Sequence, residues 1–397
     1  MLSVPCGAMG LATMFTASEV LQAAATVCVT GAALGCLYLV FVGFSVLRFR
    51  RGEHAGAPVP VPVSVLVPLC GNEPGLADRL RALRDQTYTG PTEIICGTLD
   101  LNDPAIEVVR QVAAERDGGR LACHVDPHVA AQNLKVANIS NIAKHAKHEM
   151  LVLIDSDIVV GPDYLAGVVA ELQRPGVGAV TCLFYGIGEG NLWSRLAAMS
   201  VNVHFLPNVI GGVTLGLARP CFGATIALTR DILWRIGGFA AFADQLWDDY
   251  AIGDAIRGAG YSVAVAPFAV GHVQTESTAR HLAENQVRLS CTIKSIDPVG
   301  HVGSVITHPL PLALAGFALG GGVDALALAM VALACRIAVA WCVEQRFDVR
   351  SQSYLLIPLR DLASFATYVA SFFVFTVTWR GQRYRLSDQT LIVDSSS

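Results

Sequence analysis

The 397-residue chain is short of charge: 15% of its residues are Asp, Glu, Lys or Arg, against about 25% in a typical soluble protein, while 53% are hydrophobic. A deficit of that size points to a membrane. Basic residues are missing from the first 47 positions, and the first to appear is Arg48. A cleaved signal peptide needs a basic start and a short apolar core, and the chain has neither. With a net charge of −4 there is no basic excess to hold a nucleic acid, so no nucleic-acid partner is expected. The eleven cysteines include no CxxC pair and sit mostly in apolar runs. That pattern excludes a disulfide framework and a zinc ribbon, and reads as small buried thiols in a reducing compartment. No GxxxxGK[ST] phosphate loop occurs, so this is not a P-loop nucleotide site. "AKHAKHE" (143–149) has the spacing of metal ligands on a helix, but a solvated helix face is its expected role.

What is present begins with "VLQAAATVCVTGAALGCLYLVFVGFSVL" (20–47), longer than the ~20 residues a bilayer span requires. Arg48, Arg50 and Arg51 follow it, which places residues 1–19 outside and the chain after residue 51 in the cytoplasm. Three more apolar stretches lie at 303–319, 325–343 and 362–379, with "GGGVD" (320–324) a turn between the first two. Arg336 falls inside the second, where a cavity or a lipid headgroup is the expected contact. Three full spans would put "WRGQRYRL" (379–386) outside, whereas Arg380, Arg383 and Arg385 argue for inside. Two or three spans over 303–379 therefore stay open, the Pro-containing first stretch being the candidate for a re-entrant or interfacial segment. Residues 380–397 form a basic, then polar, tail. The whole reads as a multi-pass protein of the inner (plasma) membrane.

Between the anchors, over 52–299, strand and helix signals alternate. Strands are expected at 62–70, 93–100, 121–126, 150–155 and 177–186, and helices at 76–86, 104–116, 136–147 and 163–173. Alternation of this kind means an α/β domain with a mostly parallel sheet, whose ligands bind beyond the carboxyl ends of the strands. Asp100 ends one such strand, and "MLVLIDSD" (150–157) runs a buried strand straight into Asp155 and Asp157. Two carboxylates one residue apart suit a hard cation, Mg²⁺ or Mn²⁺, shared with phosphate oxygens. Asp248 and Asp249 open a helix among Trp247 and Tyr250, a place that suits ionised carboxylates or simple capping. "ENQVRLSCTIKS" (284–295) brings Arg288 up to the membrane as a cation for a diphosphate. "PCFGAT" (220–225) offers Gly223, where backbone could approach a ligand closely, or an ordinary turn.

Taken in order, "VSVLVPLCGNEPGL", "LDLNDPAIEVV", "NLKVANISN", "LIDSDIVVGPDYL", "WDDYAIGDAI" and "WRGQRYRL" resemble the membrane-bound family 2 and 21 glycosyltransferases. Ceramide glucosyltransferases and the hopanoid-associated bacterial glycosyltransferases are the members it is most like. The resemblance implies the GT-A fold for the cytoplasmic domain, a UDP-sugar donor and a membrane lipid acceptor. It implies that Asp100 contacts the uridine and that Lys135 and Asn138 line the nucleotide pocket. Asp155 and Asp157 match the metal and diphosphate aspartates, and Asp249 the general base, with Asp248 beside it. Arg288 matches the arginine of the (Q/R)xxRW motif. That motif departs here: Asn285 stands at its first position and Leu289 replaces its Trp, so the stretch reads N-Q-V-R-L. An altered substrate, weak activity or an inactive relative are what the departure leaves open.

The reaction expected is one in-line displacement at the anomeric carbon, with inversion. Asp249 takes the acceptor proton, an effect worth about 10²–10⁴-fold, while the metal and Arg288 offset the charge on the leaving diphosphate. The acceptor is expected to be a lipid hydroxyl, of ceramide, diacylglycerol or similar. The segment 191–218 interleaves apolar residues with Trp193, Arg195 and His204, and lies either in the membrane interface, with His204 and Asp248 near the acceptor, or in the core. A processive polysaccharide synthase, a polyprenyl-phosphate sugar transferase and a silent membrane scaffold are the rival readings. The small number of spans and Leu289 argue against the first.

Overall fold

The structure, a computed structural model, describes residues 16–49, 58–71, 73–116, 120–245, 247–349, 353–379, 382–387 and 390–393. Arg50, Arg51 and Arg380, on which part of the orientation argument rests, lie outside the described residues, as do residues 1–15.

The strands are β1 (Val63–Pro68), β2 (Thr92–Thr98), β3 (Leu121–Val125), β4 (Met150–Leu153), β5 (Ile158–Val159), β6 (Val177–Gly188), β7 (Ile226–Thr229) and β8 (Ser262–Gln274). They form one eight-stranded sheet in the order β3-β2-β1-β4-β7-β6-β8-β5. β1 pairs parallel with β2 and β4, β2 with β3, and β6 with β8; only β7 and the two-residue β5 run against their neighbours. This is the expected α/β domain with a mostly parallel sheet.

Alternation along the strands builds two cores. Val63, Val65 and Val67 of β1 face the helices Leu76–Arg84, Ala105–Glu115 and Tyr164–Leu172 through Leu80, Val109, Leu165 and Val168. Leu66, Leu151 and Leu153 face the other way, onto Ile139 and Ile142 of helix Leu134–Ala143 and Ile252 and Ile256 of helix Asp248–Gly258. The helix over "AKHAKHE" stops at Ala143, earlier than expected, so His145 is in a turn. There it stacks on His124 of β3 with ring centroids 3.7 Å apart.

Three helices among the described residues are long and apolar enough to cross a bilayer: Ala17–Arg48, Leu192–Thr214 and Gly322–Phe347. The second contains a π-helical turn, Ser200–Phe205. Its Asn202 accepts from the Gly186 N–H (2.7 Å) and donates to the Gly186 carbonyl (2.9 Å), tying the turn to β6. Of the three C-terminal apolar stretches, only the middle one forms such a helix. The first becomes short helices, the longest Pro309–Ala318. In the third, helix Ile357–Ala370 is 14 residues, about 21 Å against a ~30 Å hydrocarbon core. The chain then turns into an antiparallel sheet of β9 (Thr376–Trp379), β10 (Gln382–Ser387) and β11 (Thr390–Val393). β-Branched and aromatic residues at its end favour a strand as readily as a span.

The membrane helices dock directly on the sheet. Leu39, Val42 and Val46 of the first pack with Val339 and Val343 of the last against Leu183 of β6, with Tyr185 and Val265 alongside. Arg336 is fully buried inside this bundle rather than at a headgroup. It pairs with Asp361 (Nε–Oδ1 3.0 Å) and donates to the carbonyls of Val203 and Thr307.

Candidate active site

The antiparallel strand β7 is what assembles the site. Leu153, at the end of β4, pairs with Ile226, at the start of β7, so the turn just before β7 comes up beside Asp155. That turn holds Gly223, closed by the Phe222–Thr225 bridge. A side-chain carbon on Gly223 would meet Lys135 Nζ at 2.7 Å and Asp155 Oδ2 at 2.9 Å, so any larger residue here would push the ammonium and the carboxylate aside. The Gly223 N–H donates to Asp249 Oδ2 (3.0 Å), and Asp249 Oδ1 accepts from the Tyr250 N–H (2.8 Å). Lys135 Nζ pairs with Asp155 Oδ1 at 2.6 Å. Gly223 thus joins Lys135, Asp155 and Asp249 around one point.

Asn133, missed in the sequence though it opens the quoted "NLKVAN" run, locks two helices together. Its Oδ1 caps helix Leu134–Ala143 by accepting from the N–H groups of Lys135 and Val136. Its Nδ2 donates to Asp248 Oδ1 (3.2 Å) and to the Gln245 carbonyl (2.9 Å). Asp248 and Asp249 begin their helix behind Trp247, which makes no side-chain cap; Asp249 takes a first-turn N–H, that of Tyr250, together with that of Gly223. Burial pushes the Asp248 carboxyl up to about 6, Asp249 and Asp155 adding to the rise and Lys135 opposing it. For Lys135 burial is the largest effect and favours loss of its proton, but the carboxylates of Asp155, Asp248 and Asp249 outweigh it and raise its pKa.

The Asp155–Asp157 turn is held from below. Ser156 donates from Oγ to Glu73 Oε1 (2.8 Å), and its carbonyl accepts from Arg79 Nε (2.6 Å), itself paired with Glu73 (3.2 Å). β5 then pairs with β8, Ile158 opposite His272, which sets His272 beside Asp157. His272 Nε2 donates to Asp157 Oδ2 at 3.1 Å. Burial raises the Asp155 carboxyl, with Lys135 opposing, whereas for Asp157 the His272 contact overcomes burial and lowers it. Asp157 Oδ1 and His272 Nδ1 are buried with no hydrogen-bonding partner among the described residues. A lone histidine inside a long strand gives no sequence signal, and His272 was missed for that reason.

Other expected residues stand elsewhere. Asn138 is a buried staple: its Nδ2 donates to the carbonyls of Leu69 (3.2 Å) and Gly97 (2.8 Å), joining the ends of β1 and β2. Asp100 is exposed in the loop after β2 and accepts from the Asn102 N–H. Arg288 donates to Asn285 Oδ1 (2.6 Å) on helix Ala279–Ile296, and Leu289 is exposed on that helix. His204 is in the π-helical turn, stacked on His308 (4.6 Å) and near Thr307 and Asn208, and none of these contacts belongs to the carboxylate cluster.

Ceramide glucosyltransferase 1 of Caenorhabditis elegans is 22% identical over 233 residues, which is 58% of this chain and 50% of that protein. The chain therefore spans about half the length of that relative. Among solved structures, mannosyltransferase PcManGT from Pyrobaculum calidifontis, in complex with GDP-Man and Mn²⁺, gives a TM-score of 0.49 at 20% identity, over 89% of this chain and 99% of that one. Glucosyl-3-phosphoglycerate synthase from Mycobacterium tuberculosis, in complex with Mn²⁺, UDP-glucose and phosphoglyceric acid, gives 0.39 at 16% identity, over 61% and 80%. The profile of Glycosyl transferase family 21 matches residues 26–392, from the first membrane helix to the last strand, and the chain belongs to that family.

Proposed function

We propose that the protein is an inverting transferase that moves a sugar from a UDP-sugar to a lipid hydroxyl at the cytoplasmic face of the inner membrane. The convergence of Lys135, Asp155 and Asp249 on Gly223 carries the reading. Asp249 sits at the first turn of its helix with two backbone N–H groups fixing its orientation, and takes the proton of the attacking hydroxyl. Lys135 supplies a cationic donor for the departing diphosphate. Membership of family 21 and the likeness to a ceramide glucosyltransferase support a sugar transferase with a lipid acceptor. The docking of the membrane helices on β6 and β8 supports a site at the bilayer surface.

The residues fit a hard divalent cation. Asp157 keeps a buried oxygen without a partner, Asp155 lies two residues away, and carboxylate oxygens are what Mg²⁺ or Mn²⁺ prefer. Asp155 and Asp157, with His272 beside them, would hold it. When bound, such an ion supplies charge neutralisation at the diphosphate.

The test is lipid glycosylation by detergent-purified protein with Mn²⁺ or Mg²⁺, a panel of UDP-sugars, and ceramide or diacylglycerol, read by mass spectrometry. Wild type is expected to make a glycolipid, and Asp249→Asn to lose at least ~10²-fold in turnover with folding intact. Equal activity in the variant would remove Asp249 from its role, and no glycolipid from any pair would overturn the lipid-acceptor reading.

A further inference from the structure

Most of the buried polar atoms with no hydrogen-bonding partner among the described residues belong to two groups. One is the carboxylate site. The other is the seam where the chain beyond β8 and helix Ala279–Ile296 meet the membrane bundle: Glu276 Oε2, His308 Nδ1, Arg360 Nε and Asp361 Oδ2. All four side chains are at most 4% exposed. Native proteins leave few such atoms unpaired, because each costs free energy. Four in one seam call for a polar ligand.

The seam is built. Glu276 Oε1 accepts from Asn285 Nδ2 (2.7 Å), and Arg360 donates to Gln286 Oε1 (2.7 Å). Asp361 holds Arg336 with its other oxygen, at 3.0 Å. Glu276 also interacts electrostatically with His272 on one side and Arg360 on the other. Glu276, four residues beyond His272 in the chain, thus couples the carboxylate site to the bundle electrostatically.

Its charges cancel: Arg336 and Arg360 against Glu276 and Asp361. Resting on the lipid-acceptor reading above, we infer that this seam receives the polar head of the acceptor, and that the head is uncharged, bearing hydroxyl and amide or ester groups and no phosphate. The carboxylate oxygens accept from a hydroxyl or amide N–H, and Arg360 Nε donates to a carbonyl or hydroxyl oxygen. A phosphate would find the two positive charges already balanced and two carboxylates facing it. A metal ion is the competing occupant, since ligand atoms of His204, His308 and Asp361 lie within 4.8 Å of one another. It would add positive charge beside Arg336 and Arg360, and is disfavoured.

The test uses the full chain in nanodiscs and a ceramide carrying a photoactivatable diazirine near its head, with labelled peptides mapped by mass spectrometry. Labelling is expected on peptides containing Glu276, His308 or Arg360, blocked by unlabelled ceramide or diacylglycerol and not by ceramide 1-phosphate or phosphatidic acid. Glu276→Gln keeps an acceptor for Asn285 but leaves Arg336 and Arg360 facing one carboxylate instead of two. It is expected to weaken ceramide competition about tenfold and to let the phosphorylated lipids compete, with the UDP affinity unchanged. Labelling mapped elsewhere, phosphorylated lipids competing as well as ceramide in wild type, or about one zinc per chain by elemental analysis would overturn the inference. Labelling is read without turnover, so a failure of sugar transfer is distinguishable from a failure of the seam.

Discussion

Asp248→Asn should make the protein more stable at pH 7.5. The carboxyl of Asp248 is raised from 3.8 to about 6 in the folded chain, mainly by burial, with Asp249 and Asp155 adding to it. A raised carboxyl binds its proton more tightly when folded than when unfolded, so its ionisation opposes folding. The cost is absent below pH ~3, grows as pH rises towards 6, and is complete above that. At 1.36 kcal/mol per unit it amounts to roughly 2–3 kcal/mol. The lost attraction of Lys135 is already inside that figure, since Lys135 is among the causes of the net shift. Asparagine keeps an oxygen for Asn133 Nδ2, now 3.2 Å from Asp248 Oδ1. In detergent, the melting temperature of the variant should exceed that of wild type by a few degrees at pH 7.5, and the gap should shrink to about a third at pH 4.5 and close near pH ~3. A variant no more stable than wild type at pH 7.5, or a gap undiminished at pH 4.5, would refute the claim that a repulsive carboxylate cluster is held together here for function.

Three further outcomes follow from the same geometry. Gly223→Ala places a methyl against Lys135 Nζ and Asp155 Oδ2. Gly223 is not among the left-handed glycines, so the chain should fold, while turnover falls on the order of 10²-fold from misplacement, seen as lower kcat with a normal melt. Burial lowers the pKa of His272, but Asp157 outweighs it and the net shift is upward, so the pair stabilises below pH ~6.5 and loses that as pH rises through the raised value. Thermal melts of metal-free wild type from pH 6 to 9 should show the loss, and His272→Gln should flatten it. Arg336→Met leaves Asp361 buried without its partner and should cost about 3–5 kcal/mol, read as a large drop in thermal stability, while adding Asp361→Leu should recover most of it.

The sequence carried the sheet well where local pattern and burial agree. "VSVLVP" and "MLVL" are apolar because both faces of β1 and β4 are covered, and such runs need no context to read. Asp155 and Asp157 stood out because carboxylates directly after a buried strand need an explanation. His272 did not, because its meaning comes from pairing with Ile158, more than a hundred residues away. The residue pattern gave Asp248 and Asp249 the same reading and only the resemblance singled out Asp249; in the fold Gly223 and Asn133 each bond one of them. Composition identifies apolar stretches but not helix ends. The third C-terminal stretch stops its helix at Ala370, and Leu192–Thr214 reaches spanning length through a π-helical turn that nothing local announces.

That π-helical turn shows why the site and the bundle cannot be separated. Phe205, its last residue, stacks on Phe184 of β6 (5.2 Å) and meets Phe222 edge-on (5.6 Å). Phe184 in turn lies edge-on to His272 (5.1 Å), and Phe222 precedes Gly223. One residue earlier, His204 faces His308 inside the bundle, and Arg336 takes the Val203 carbonyl. Consecutive residues of a single turn thus touch the shell of the carboxylate site and the membrane core. Packed aromatic contacts of this kind transmit displacement rather than absorb it. A shift of the bundle relative to β6 must therefore move Phe184 and Phe222, and with them His272 and Gly223, the residues that set Asp157 and Asp249 in place.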